Sequence, residues 1–306
     1  MDGDAWGSLC ALALILKQLW KDVKAINDCS VPPSLRFLWY IDIINSDIDV
    51  KKFSPDCIIS LDASDASRLG ESYKKWQTIF THTPLIVIDH HISNPYFWNI
   101  NIIDPKSSST CELLTDIIQA SWWKDMINWE IATLLYLGIQ TDTSMYYNTN
   151  TTSKTLKIGS WLVQKWADYR TVIYEMFEKK SFKQLKLWGI LIENMRQDMS
   201  RTINYSSVSA YEIGRLNIKH AEIWWYLKGA INELMINVQG TKISFLIYPI
   251  SLEENKVSMR SEIWYNVASI CESFWWGWHM QAAGFQTKES IEVITEKLLR
   301  KISEVL

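Results

Sequence analysis

Apolar positions in the first 180 residues come in short blocks, and several of those blocks end on charge. Residues 85–88 (Leu-Ile-Val-Ile) stop at Asp89, His90 and His91, and residues 57–61 stop at Asp62, with Asp65 and Arg68 just beyond. Continuous runs of this length fit strands of a parallel sheet buried on both faces. Residues 35–44 are a third strand candidate, and residues 9–19, 111–120 and 130–140 show helical spacing. Strands and helices in alternation predict βαβ units, whose sites lie beyond the carboxyl ends of the strands.

The second half of the chain has a different rhythm. Phe182, Leu185, Leu187, Ile190, Leu191 and Met195 recur at helical spacing and predict a connecting helix over 181–200. Residues 203–211, 243–248 and 256–260 read as strands, and 288–303 as a closing helix. The expected fold is α/β throughout: a parallel-sheet domain over 1–180 and a smaller α/β domain over 201–306. A cleft between them is the expected substrate site.

Charged groups at the ends of buried segments are costly unless something compensates them. Besides Asp62 and Asp89-His90-His91, Asp2 and Asp4 stand before an expected turn at Gly7-Ser8, and the apolar residues 134–139 lead into Thr141-Asp142-Thr143. A bound metal cluster would satisfy all of them. Alone, Asp-His-His is an ordinary turn; the repetition gives it meaning. Asp65 and Arg68 read as a surface pair of little energetic worth, and Ser109 with Glu112 as a capping box without chemistry.

Composition narrows the partners. The chain has 306 residues, 48% hydrophobic and 21% charged, and a net charge of -3. It therefore lacks the basic excess of proteins that grip long nucleic acid by its phosphates, and short anionic substrates fit better. The five cysteines, at 10, 29, 57, 111 and 271, form no C-x-x-C pair, so neither a disulfide framework nor a zinc knuckle is expected. No run near the start is long enough to span a membrane, and a cytoplasmic protein is expected.

In chain order, Asp2-Gly3-Asp4-Ala5 with Gly7-Ser8, then Asp62, then Asp89-His90-His91, then Gly138-Ile139 with Thr141-Asp142-Thr143 resembles the four motifs of the DHH phosphoesterases. Arg260-Ser261 and Gly277-Trp278-His279, followed by Ala282-Ala283-Gly284-Phe285, resemble the DHHA1 domain that accompanies them. The compact length is more similar to the oligoribonuclease and phosphoadenosine phosphatase type than to the longer RecJ exonucleases.

The resemblance implies a function and a ligand set. Asp4, Asp62, His90 and Asp142 would hold one metal, and Asp2 with Asp62 the other, Asp62 bridging. Carboxylates mixed with imidazole suit manganese, with magnesium as the alternative. Two such ions about 3.5–4 Å apart activate water for in-line attack on phosphorus. Asp62, His90 and His91 are the expected catalytic residues. His91, Arg260, Ser261 and His279 would face the substrate phosphate, Arg260 through its planar fork, while Asp89 would orient a ligand from behind. The expected substrates are short single-stranded oligonucleotides or a phosphorylated nucleotide such as 3'-phosphoadenosine 5'-phosphate. The residues leave the oligomeric state open, a homodimer included. The rival readings are a family II pyrophosphatase, a cyclic dinucleotide phosphodiesterase and a catalytically silent nucleotide-binding protein.

Two departures from the family pattern carry expectations of their own. Family members have a strand and a metal-binding histidine upstream of the Asp-x-Asp pair, whereas Asp2 follows Met1 directly, so the natural polypeptide is expected to begin further upstream. Seventeen tryptophans against eleven glycines inverts ordinary usage, in which glycine is about 7% of residues. Trp20, Trp98, Trp166, Trp264, Trp275, Trp276 and Trp278 stand where the family pattern has glycine, as if UGA codons read as glycine by the host had been translated as tryptophan.

Overall fold

The computed structural model describes residues 2–38, 40–44, 48–96, 98–227, 229–272 and 280–306. The chain divides into two compact units, Met1–Lys179 and Lys180–Leu306. No helix among the described residues is long and apolar enough to cross a membrane.

In the first unit, β1 (Ile58–Leu61), β2 (Leu85–Asp89) and β3 (Ile100–Ile103) form a parallel sheet in the order β1-β2-β3. The apolar runs at 57–61 and 85–88 thus become neighbouring strands, with Leu61 opposite Ile88. Their carboxyl ends lie side by side, which brings Asp62 close to Asp89 and the two histidines that follow. Helices α1 (Gly3–Gln18), α2 (Thr110–Gln119), α3 (Trp129–Thr143) and α4 (Ser153–Gln164) complete the core. Trp6, Ile15, Leu114, Ile118, Ile131 and Leu135 are all fully buried in it.

Helices α1 and α3 pack closely because glycines line their contact. A Cβ on Gly7 would stand 2.4 Å from the Leu134 carbonyl oxygen, and one on Gly138 would stand 2.2 Å from Cys111 Sγ and 2.5 Å from Asp4 Oδ1. All three distances lie inside van der Waals contact, so any larger residue would force the helices apart.

Several local expectations are corrected. The described residues of 35–44 form no strand: Pro33, whose fixed φ suits a first helical turn, opens the 3-10 turn Pro33–Leu35, and a second such turn spans Ile41–Ile43. Ile44 makes one isolated parallel bridge to Ala25. Gly7-Ser8 is not a turn either. Asp2 caps α1 by accepting from the Ala5 amide, and Ser8 Oγ donates to the Asp4 carbonyl at 2.7 Å, so the helix runs straight through.

The second unit holds a five-stranded sheet in the order β4-β5-β6-β7-β8: β4 (Arg196–Gln197), β5 (Ile203–Ser207), β6 (Ile243–Pro249), β7 (Asn255–Ser261) and β8 (Ala282–Thr287). β5 and β6 are parallel and the other pairs antiparallel. Every residue of β6 is buried. Phe245 and Ile247 join one core, with Ile294, Leu298 and Ile302 of α6 (Ile291–Ser303), while Leu246 and Tyr248 join another with Leu187 and Leu191 of α5 (Phe182–Glu193). This two-sided alternation is the strand period of two. The helix expected over 181–200 stops at Glu193, and the strand expected over 203–211 stops at Ser207, because Ser209 and Glu212 form a capping box that starts the helix Ala210–Arg215.

Candidate metal centre

Four segments of the first unit deliver the charged residues to one place. Asp4 comes from the first turn of α1, Asp62 from the end of β1, His90 and His91 from the end of β2, and Asp142 from the last turn of α3. His90 Nε2 lies 3.2 Å from Asp142 Oδ2, 3.6 Å from Asp62 Oδ1 and 3.9 Å from Asp4 Oδ2. Asp4, His90 and Asp142 form one group able to hold a cation, and Asp62, His90 and His91 another. His90 is common to both.

Asp4 is fully buried and held by backbone. Its carboxylate accepts the Thr110 amide at 2.6 Å and the Cys111 amide at 2.8 Å, the first two N–H groups of α2. Those donors have no intrahelical acceptor, so a carboxylate at the helix amino terminus satisfies them and meets the positive end of the dipole. The Thr110 hydroxyl donates in addition to Asp62 Oδ1 at 3.1 Å. Thr110 therefore touches two candidate ligands, a role that sequence reasoning missed. Its only signal is the run of small polar residues 107–110 at the start of α2, in which Ser109 alone reads as a cap. The capping box itself is half formed: Ser109 accepts from the Glu112 amide, but the Glu112 carboxylate turns to the Ser108 hydroxyl and Lys154.

Asp62 adopts a left-handed backbone conformation, φ 56°, while its amide still donates to the Ile88 carbonyl at 3.1 Å. The ladder thus runs to its last rung and then turns sharply. An aspartate tolerates this region better than most residues, at some energetic cost.

Asp89 is in neither cation-holding group and anchors its neighbours. Its Oδ1 meets His91 Nδ1 at 2.7 Å and accepts the His90 amide at 2.9 Å, and its Oδ2 accepts from Asn94 Nδ2 at 2.7 Å. Burial alone would raise its pKa, but the His91 and Asn94 hydrogen bonds and the neighbouring imidazole outweigh that and hold it below the usual carboxylate range. The ring it orients is His91, leaving His90 Nε2 to the carboxylates.

The carboxyl groups of Asp4, Asp62 and Asp142 show the opposite behaviour. Burial, followed by the charges of Asp4, Asp2, Asp142 and Asp89, pushes Asp62 well above its ordinary value. Burial, Asp4 and Asp2 do the same to Asp142, and burial raises Asp4 against the lowering pull of His90 and Cys111. Buried like charges facing one imidazole are relieved by a cation placed among them, so the residues present fit a divalent metal.

Among the described residues, the remaining expected site residues are in neither cation-holding group. Asp2 belongs to neither cation-holding group; it is exposed, caps α1, and acts on the others through its charge. Arg260 and Ser261 lie in β7 of the second unit, where Arg260 Nη1 donates to the Met259 carbonyl and Ser261 Oγ to the Tyr265 carbonyl. His279 lies outside the described residues, as do Trp275, Trp276 and Trp278.

Comparison with known proteins agrees with this geometry. Residues 1–139 match the DHH family, N-terminal domain. The bifunctional oligoribonuclease and PAP phosphatase NrnA of Thermus thermophilus is 27% identical, in an alignment covering 100% of this chain and 87% of that protein. Its namesake from Bacillus subtilis is 27% identical over 63% of this chain, and the matched stretch spans 59% of that relative's length. An exopolyphosphatase-related protein from Bacteroides fragilis shares the fold, with a TM-score of 0.88 at 24% identity over 99% of this chain and 89% of its own. Residues 1–139, which carry the first motif residues to the carboxyl end of a parallel sheet, are thus similar to the DHH family, N-terminal domain.

Proposed function

We propose that this protein is a cytoplasmic, manganese-dependent phosphoesterase that hydrolyses short oligonucleotides, 3'-phosphoadenosine 5'-phosphate, or both. The observation that carries the reading is the convergence of Asp4, Asp62, His90 and Asp142, residues up to 138 positions apart, on one buried spot. The names of the Thermus and Bacillus relatives supply the substrate class.

In this reading Asp4, Asp62, His90 and Asp142 would hold one cation, and Asp2 with Asp62 would hold its neighbour. Bound divalent ions would supply an activated water and neutralise charge on the phosphoryl group. The protein's own share is positional. Thr110 and the amino terminus of α2 fix Asp4 and Asp62, and Asp89 fixes His91 through Nδ1. His91 Nε2 is then the atom available to face a phosphate oxygen or hold a proton. Arg260, Ser261 and His279 are assigned to the substrate phosphate, and the two units serve as catalytic and substrate-binding domains. Five free cysteines suit a reducing compartment.

The test is a substrate panel with added Mn2+, separating products by length: dinucleotides, longer oligomers, 3'-phosphoadenosine 5'-phosphate, pyrophosphate and a cyclic dinucleotide. It is run on the chain as written and on a version carrying glycine at the seven tryptophan positions. Metal-dependent release of mononucleotides or phosphate, abolished in Asp62→Asn, is the expected result. Nucleotide binding without turnover in both proteins would establish the silent reading instead.

A further inference from the structure

Two tryptophans occupy a backbone position that disfavours them. Helix α1 ends with Leu19 as its cap, and the next residue, Trp20, has φ 57°; α4 ends with Lys165 as its cap, and the next residue, Trp166, has φ 67°. Both ends close with the same pair of hydrogen bonds. The Trp20 amide donates to Lys17 O at 3.0 Å and the Lys21 amide to Leu16 O at 3.1 Å; the Trp166 amide donates to Val163 O and the Ala167 amide to Leu162 O, each at 3.0 Å. This is the Schellman motif, whose left-handed residue is usually glycine and sometimes asparagine. A Cβ in that conformation crowds the following carbonyl, and for a bulky side chain it is a true outlier.

Neither indole gains anything that would offset the strain. Trp20 is 96% exposed and Trp166 82%, although tryptophan ordinarily keeps most of its large surface covered. The chain itself supplies a contrast. At the end of the helix Ala210–Arg215 the equivalent left-handed residue, φ 52°, is Asn217, a residue that the motif accepts, and the following amide, of Ile218, donates to Ile213 O. Trp188, in the interior of α5, is 7% exposed and donates its Nε1 to the Tyr226 carbonyl at 2.9 Å, as a tryptophan selected for its ring should. The count of seventeen tryptophans to eleven glycines points the same way.

We propose that residues 20 and 166 are glycines in the protein as its own cell makes it, encoded by UGA codons that the host reads as glycine. The inference rests on helix-end geometry and exposure, and stands whatever the protein's substrate.

The test is to sequence the gene and identify the corresponding peptides of the native protein by mass spectrometry. UGA at codons 20 and 166, UGG at codon 188, and native peptides bearing glycine at 20 and 166 are expected. UGG at either position overturns the proposal, and so does tryptophan in the native peptide where the codon is UGA. A thermal scan gives a second readout: in the chain as written, Trp20→Gly and Trp166→Gly should each raise the Tm of the first unit by about 2–4 °C. An unchanged or lowered Tm in both variants counts against the assignment.

Discussion

At the residue scale, the candidate centre includes groups that hold the candidate ligands as well as the candidate ligands themselves. Thr110→Val keeps the backbone donor to Asp4 and removes only the hydroxyl donor to Asp62. A calorimetric Mn2+ titration should then show affinity lowered by about 10–100-fold, the usual effect of losing a partner behind a ligand; an unchanged isotherm would mean that the Thr110 hydroxyl does not position Asp62. Protons should compete with metal in a stated direction. Asp4, Asp62 and Asp142 have pKa values raised above 3.8 in the folded state, so their contribution to stability is fully present below 3.8 and is lost as pH rises through the raised values. Metal reverses that loss. The Tm difference between Mn2+-loaded and EDTA-treated protein should therefore widen from acid toward neutral pH, and a difference constant with pH would contradict the proposed ligand set. Asp62, His90 and Asp142 were legible in the sequence because each follows an apolar segment, and Asp4 because it precedes one. Thr110 was not, because its contact to Asp4 spans 106 positions and engages a backbone amide, which no side-chain pattern records.

At the element scale, the continuous runs of β1 and β2 were legible because strands of a buried parallel sheet need apolar residues on both faces. β3 is only four residues, with Asn101 among its isoleucines, and left no comparable run. Residues 35–44 misled in the opposite sense: apolar and aromatic content matched a strand, but Pro33 committed the chain to tight turns. The α1–α3 contact supplies a sharp test. Gly7→Ala places a methyl group against the Leu134 carbonyl oxygen, a backbone atom that cannot rotate away. The variant should lose about 1–3 kcal/mol in a denaturant melt. Because α1 also carries Asp4, Mn2+ affinity should fall with it, whereas a variant as stable as the parent would show that the helices are not in such close contact.

At the scale of the whole molecule, the candidate site residues are divided between the two units. The first gathers every group able to hold a cation that the described residues contain; the second builds a buried five-stranded sheet with Arg260 and Ser261 on β7. The order of motifs made the first unit's chemistry legible, since they recur at the ends of successive elements. The second unit's strand limits were less legible, because the capping box at Ser209 cuts β5 short within an otherwise strand-like run. Arg260→Ala should raise KM for a phosphorylated nucleotide while leaving Mn2+ affinity unchanged, the signature of a group that binds substrate and no metal; a fall in Mn2+ affinity would contradict its assignment to the phosphate. The account as a whole is tested most directly by anomalous diffraction from crystals soaked in Mn2+. It predicts manganese peaks within coordination distance of Asp4, Asp62, His90 and Asp142, and peaks elsewhere, or none at saturating manganese, would contradict it.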